Sequence, residues 1–557
     1  MRRSYPALVA VPVAICIYAM TAWGQQSPET VTIIKEFEFD DASKVTGSDW
    51  QTPVATYNDA IYYVYVNRQL KTLIVKKSSD GSVSKSVIFE ETDPAPWYNG
   101  VSIGIDRNGY IHVAGNMHHS PFNHPKTGNP YYDYAWQYVV SDKPEDISSF
   151  SFIGSEKART IPGNWITYPS FSRDLNGVLY VAFRHRIKFE TGWTPGIMAA
   201  GIARYDADAR IWVMLGGTDY AHASKTFFWN DSGADGTAYQ PYRQRIFFDR
   251  NNRMHITWVV DDGNGSSGYH THVLYASSDD GGDTFKRADG SAYETLPITL
   301  AGADVVVGPD WTGSAGNLWY TSYVGATSEG HPAVSFADNS SDTAWWSLWR
   351  PEIGWSAPLK LPFDAIPARI LTDASGILTA IDGHNRVHRS HNNGVSWQPY
   401  VVETLGIHST NFDYPYLAET GNLRFQTYST TTGKVKVWTV EFEQNRSAAG
   451  EIADASHKMG AVAEQLADQV ILTDDNPRGE DGEQIIQDIL AGIGSRAGVR
   501  VDRDRAHAIR KAIAEAQSGD LILVAGKGHE DYQDIGGRRR PFSDIELVQQ
   551  VLRGEQA

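Results

Sequence analysis

The chain has 557 residues, 41% of them hydrophobic and 21% charged, a balance that excludes a mainly disordered protein and a length that allows more than one domain. A formal charge of −17 gives no support for nucleic acid as a partner, which would favour a basic face. The single cysteine, Cys16, excludes a disulfide framework and any Cys-based zinc cluster.

Arg2 and Arg3 precede an apolar run from Ala7 to Met20, and Ala22 and Gly24 follow it as small residues. This is the order of an export signal, so residues 1–24 are expected to be a signal peptide. Cys16 has no lipobox before it, so no membrane anchor is expected. The protein is expected to be secreted, periplasmic or extracellular, and monomeric.

A phrase recurs through residues 50–443: a polar turn, often with Gly or Asn, then an alternating apolar strand. Its seven copies begin at Asn58, Asp106, Asp174, Asp249, Gly316, Gly376 and Gly421, 45–75 residues apart. All-strand repeats of this length predict radial blades of about four strands each, so residues 25–443 are expected to form a seven-bladed β-propeller, an all-β domain. Ser278–Phe285 fits Ser-x-Asp-x-Gly-x-Thr-aromatic, and Ser390–Trp397 is a looser copy. Both resemble the Asp box of sialidase-type propellers, a structural device that says nothing about the reaction.

Two segments concentrate chemistry. His112–His124 carries Asn116, His118, His119 and His124; Asn164–Phe171 carries Tyr168 and is followed by Phe183-Arg184-His185-Arg186. On a strand, Arg184 and Arg186 share a face and His185 points away. Taken singly, a histidine at a strand end, a tyrosine before Pro169 or one arginine reads as packing or surface. Their convergence in adjacent repeats favours a site. Tyr239, Tyr242 and Arg243 are candidates to line a cleft or to pack a blade. His270 and His272, two apart on one strand, have a spacing suited to a metal.

Residues 30–443 resemble the β-propeller ulvan lyases through the phrase at 106–122, Asn164–Phe171, Phe183–Arg186 and the box at 278–285. The resemblance implies a polysaccharide lyase that cuts ulvan, a sulfated rhamnose–uronic acid polymer, by β-elimination. That reaction needs a cation to neutralise the uronate carboxylate, a base for the C5 proton and an acid for the leaving oxygen. Arg184 fits the first by type. By motif, the proton-transfer roles carry over to Tyr168 and His118, with His119 the second choice and His124 the candidate for a further site histidine. Asn116, His119, His124, Tyr239 and Arg243 are then expected to bind substrate. No cofactor is required for the chemistry; the family's structural metal, zinc or calcium, would sit at His270 and His272. A sialidase-type hydrolase and a non-catalytic carbohydrate-binding propeller are the alternatives.

Composition changes near residue 445. Only Tyr532 and Phe542 of the 65 aromatics follow residue 450. Short apolar strands, Val470–Leu472 and Leu521–Val524, alternate with candidate helices at Gln484–Leu490 and Ala506–Ala516, a β/α pattern. Residues 444–450 are expected to be a linker and 451–557 a small α/β domain. The phrases at Met459–Glu464, Leu472–Arg478 and Ala525–Tyr532 resemble the C-terminal domain of the diaminopimelate-adding Mur ligase. The chain has no Gly-x-x-x-x-Gly-Lys-Ser/Thr phosphate loop, so this tail is expected to be inactive as a ligase.

Overall fold

The computed structural model describes residues 13–17, 30–47, 50–90, 100–115, 137–156, 158–162, 166–188, 197–217, 226–229, 239–261, 270–311, 318–338, 343–362, 369–373, 376–382, 386–401, 409–429, 432–443, 460, 463–464, 467–476, 482–491, 493–494, 498–525, 532–535 and 538–554. The chain divides into two compact units: Val31–Phe442, and Glu443–Ala557 together with Met1–Thr30.

In the larger unit the recurring phrase is a hairpin turn. One Asp106 carboxylate oxygen accepts the N–H groups of Asn108 and Tyr110 at 2.9 and 3.0 Å, and Gly109 holds φ +82°. Asp174 and Asp249 repeat the plan at 174–178 and 249–253. The aspartate satisfies the turn's own N–H groups, and glycine adopts the left-handed backbone at no steric cost. Each turn joins the first strand of a repeat to its second: Val101–Ile105 to Ile111–Gly115, Thr167–Arg173 to Leu179–Lys188, Gln240–Phe248 to Met254–Asp261. The copy assigned at Gly316–Tyr320 is out of step, because Leu318 opens a first strand, Leu318–Ala326. The matching turn is Thr327–His331, where the Thr327 hydroxyl accepts from Glu329 and His331 at 3.3 and 3.2 Å. Threonine does the work of aspartate there, which a search for Asp or Asn before Gly passes over.

These strands form an all-β, propeller-like arrangement of antiparallel sheets. Among the described residues five separate four-stranded blades are present rather than the expected seven; the repeats at 249–256 and 327–331 share one nine-stranded sheet. The reason is local. His270, at the start of strand His270–Ser278, pairs with Leu318 and carries backbone hydrogen bonding across the boundary that repeat spacing implies. First strands of successive repeats pack side by side, from Val101–Ile105 through Thr167–Arg173, Gln240–Phe248 and Leu318–Ala326 to Arg369–Thr372. The strand Thr30–Phe39 completes the last blade beside Val435–Glu443, and that blade packs on Val54–Tyr57. First and last segments of the unit thus meet and close the ring, which leaves only short edges.

Both Asp boxes are structural. Asp280 accepts from the Thr284 N–H and hydroxyl at 2.9 and 2.6 Å, while Phe285 is buried edge-on to Phe227. In the looser copy Asn392 replaces the aspartate and accepts from Ser396 N at 2.9 Å, with Trp397 edge-on to Trp346.

The smaller unit is α/β, as its pattern predicts. Helices Gly482–Ala491, Arg505–Glu515 and Asp544–Leu552 accompany a parallel sheet, and Asp504 and Ser543 cap the last two helices. Ile486, Ile489 and Leu490 pack on Val470 and Leu472. Sheet order is Val499–Val501, Gln469–Leu472, Val13–Ile17, Leu521–Val524. Part of the run read as an export signal therefore supplies an inner strand here, paired in parallel on both sides. The expected linker, 444–450, lies outside the described residues.

Candidate functional site

Two neighbouring first strands carry the same irregularity. Thr167 pairs with Arg184 but Ser170 pairs with Ala182, so one extra residue is taken up around Tyr168. Tyr242 pairs with Val259 but Arg245 pairs with Thr257, so one extra residue is taken up around Arg243. Tyr168 has φ +59° and Arg243 φ +48°. A left-handed backbone at a bulky residue costs about 1–3 kcal/mol and persists where surrounding structure over-determines it; a bulge re-aims the side chain it carries.

The two bulges bring their residues together. The Arg243 guanidinium lies 5.3 Å from the Tyr168 ring centre and that of Arg184 lies 5.0 Å from it. Arg184 also stands 4.4 Å over Tyr242, whose ring meets His270 edge-on at 5.0 Å. Trp50 packs edge-on to Tyr168 at 5.7 Å. Two buried cations thus flank one phenol in a chain whose formal charge is −17, and the local field favours an anionic ligand.

Arg184 is 4% exposed. Its Nε donates to Thr167 Oγ1 at 3.1 Å, while Nη1 is buried with no hydrogen-bond partner among the described residues. Burial works against its charge, but Tyr242, Tyr168 and Asp261 outweigh that and hold the guanidinium above its ordinary value. A buried, charged donor with capacity unspent is costly unless an acceptor completes it. His185 takes the opposite face, as strand alternation predicts. It stands 3.4 Å from Thr226 Oγ1, and burial pushes its imidazole down to about 3.

Of the residues singled out from sequence, Tyr168, Arg184, Tyr242 and Arg243 converge here. Asn116, His118, His119 and His124 lie outside the described residues. Tyr239 stands against His272 at 6.2 Å. The expected metal pair, His270 and His272, does not sit on a regularly alternating strand. Val260 pairs with His272 and Asp261 with His270, so Thr271 is extra and the alternation that would align the two rings is broken. His272 Nδ1 lies 2.8 Å from Thr271 Oγ1, and burial holds this imidazole below its ordinary value. No group of three or more His, Cys, Asp or Glu among the described residues is placed to hold an ion. His270 instead belongs to the site through Tyr242. Trp50 joins it from more than 100 residues away, with no local signal to mark it.

In the smaller unit, Thr473, Asp474, Asp475, Asn476 and Gly482 line a cleft with Ile485, and Arg503 grips both oxygens of Asp474 at 3.1 Å through Nε.

Comparison with known proteins follows this division. A profile of the BNR repeat-containing family matches residues 54–360, and one described as Mur ligase, glutamate ligase domain, matches 441–528. A solved PL25 polysaccharide lyase, an ulvan lyase bound to -[GlcA(1-4)Rha3S]-, superposes with a TM-score of 0.54 at 15% identity, covering 73% of this chain and 95% of that one. Another, polysaccharide lyase Uly1, gives 0.52 at 14% identity over 77% and 96%. At such identities the likeness concerns the fold. The UDP-N-acetylmuramoyl-L-alanyl-D-glutamate–2,6-diaminopimelate ligase of Parasynechococcus marenigrum (strain WH8102) is 52% identical over 99 residues, which are 18% of this chain. That of Aquifex aeolicus (strain VF5) is 50% identical over 97 residues. The chain spans about a fifth of the length of these curated relatives.

Proposed function

The chain belongs to the BNR repeat-containing family, and from that premise we propose that it is a secreted polysaccharide lyase acting on ulvan or a closely related sulfated polyuronate. The observation that carries this reading is Arg184: buried, charged, with Nη1 unspent, against Tyr168 and Tyr242. A guanidinium grips a carboxylate with two parallel hydrogen bonds. Neutralised in that way, the uronate releases its C5 proton to a base. The electron pair of the broken C5–H bond forms the C4=C5 double bond as the C4–O bond breaks, and an acid protonates the departing oxygen. Tyr168 and His118 take the two proton transfers in this reading; Arg243 and His270 hold the sugar or its sulfate. No step runs through a metal. Secretion rests on the order of residues at Arg2–Gln25. For the Mur ligase-like tail we propose no ligase activity.

The test is incubation with ulvan, followed by ultraviolet absorbance of the new double bond conjugated to the carboxylate. A lyase gives rising absorbance and an unsaturated product end. New reducing ends without that absorbance would mean hydrolysis and overturn the reading.

A further inference from the structure

Most buried arginines in the ring have acceptors. Arg389 meets Asp373 at 2.7 Å, and Arg424 donates to Thr439 and Thr56 at 2.9 and 2.6 Å. Arg245 donates through Nη1 to the Trp50 carbonyl at 2.9 Å and to Ser170 Oγ at 3.2 Å. Arg369 differs. It is 1% exposed, and both Nε and Nη2 are buried with no hydrogen-bond partner among the described residues. No carboxylate among those residues forms an ion pair with it.

Its surroundings are defined. Arg369 opens the strand Arg369–Thr372, and its guanidinium lies 5.1 Å from the Tyr323 ring centre and 5.2 Å from that of Phe412. The Arg245 guanidinium lies 5.2 Å from the same Tyr323 ring. Tyr414 packs on Phe412 at 5.9 Å. Burial pushes the Tyr414 hydroxyl up to about 12, while Arg245 and Arg369 both pull it down, so both cations act on that hydroxyl. Two guanidiniums around one ring repel each other. Ring faces return only part of the cost of desolvating them. A negative charge beside Arg369 offsets the cost of its buried, unpartnered guanidinium and screens it from Arg245.

We propose that Arg369 and Arg245, with Tyr323 and Tyr414, form a buried site for one small inorganic anion inside the ring. Arg369 is too deeply buried to meet a polymer end, so the anion proposed is a halide or sulfate. The site is separate from the lyase reading. It adjoins the candidate active site through Trp50, whose carbonyl meets Arg245 and whose ring meets Tyr168.

The test is thermal melting of the full chain at constant ionic strength, with sodium gluconate replaced stepwise by bromide in one series and sulfate in another. Beyond saturation, each tenfold rise in the bound anion should lift Tm by roughly 2 °C. Arg369→Met keeps bulk and removes charge; its Tm should ignore the anion and, in gluconate, equal or exceed that of the parent. A parent that responds to neither anion, or a variant that responds as the parent does, overturns the proposal. The parent protein supplies a second readout that needs no variant. Crystals soaked in bromide should show one anomalous peak in contact with the Arg369 guanidinium; a water or a carboxylate in that place overturns it.

Discussion

At the residue scale, Arg184 and Tyr168 are separable by conservative change. Arg184→Lys keeps the charge but loses the paired contact, because an ammonium is a point charge. Turnover of ulvan should fall at least about tenfold, which is ~1.4 kcal/mol of barrier; a variant that retains more would show that Arg184 clamps nothing. Tyr168→Phe removes one hydroxyl and keeps a ring packed on Trp50 and two guanidiniums. Loss of a proton-transfer group costs roughly a hundredfold or more in kcat, whereas Tm should hold. A fall in Tm with normal turnover would return Tyr168 to blade packing. His185 governs a third outcome. Its folded value of about 3 lies below the ordinary 6.5, so between those limits the unfolded chain binds more protons. Stability is then intact above pH 6.5 and declines as pH falls, by about 1.4 kcal/mol per unit from this group. Urea unfolding at pH 7, 6 and 5 measures that slope, and it should flatten in His185→Phe. An unchanged slope would assign the acid sensitivity to other groups.

At the element scale, the hairpin turn is the unit the sequence repeats. Gly109 holds φ +82°, and a Cβ there would meet Tyr57 at 3.2 Å and Pro144 at 3.3 Å. Gly109→Ala should cost about 1–2 kcal/mol from the left-handed backbone alone. A urea midpoint equal to the parent's would mean the turn has relaxed to another type. The bulges at Tyr168 and Arg243 belong to this scale too. Each lies where alternation fails, so neither could be read from residue spacing. Both place a side chain in the site that regular pairing would turn elsewhere. The same failure of alternation at Thr271 breaks the common alignment expected of His270 and His272.

At the scale of the whole molecule, the larger unit closes its ring with its own N-terminal strand, Thr30–Phe39, beside Val435–Glu443. It therefore supplies its own core and covers its own edges. Deleting residues 447–557 should leave cooperative unfolding and ulvan cleavage unchanged. Insoluble or non-cooperative protein after that cut would show that the ring depends on the tail. The smaller unit takes an inner strand of its sheet, Val13–Ile17, from its own N-terminal segment.

The sequence by itself determined the repeat, the change of composition near residue 445, the Asp boxes, and the opposite facing of Arg184 and His185. Each is a local rule of turn chemistry or strand period acting within about ten residues. Tertiary structure decided what depends on pairing between strands: the fusion of two repeats through His270 and Leu318, the bulges, and the arrival of Trp50, Tyr242 and Arg243 around Tyr168. Register and long-range contact are set by which edges meet when the ring closes, and no residue's neighbours in the chain carry that information.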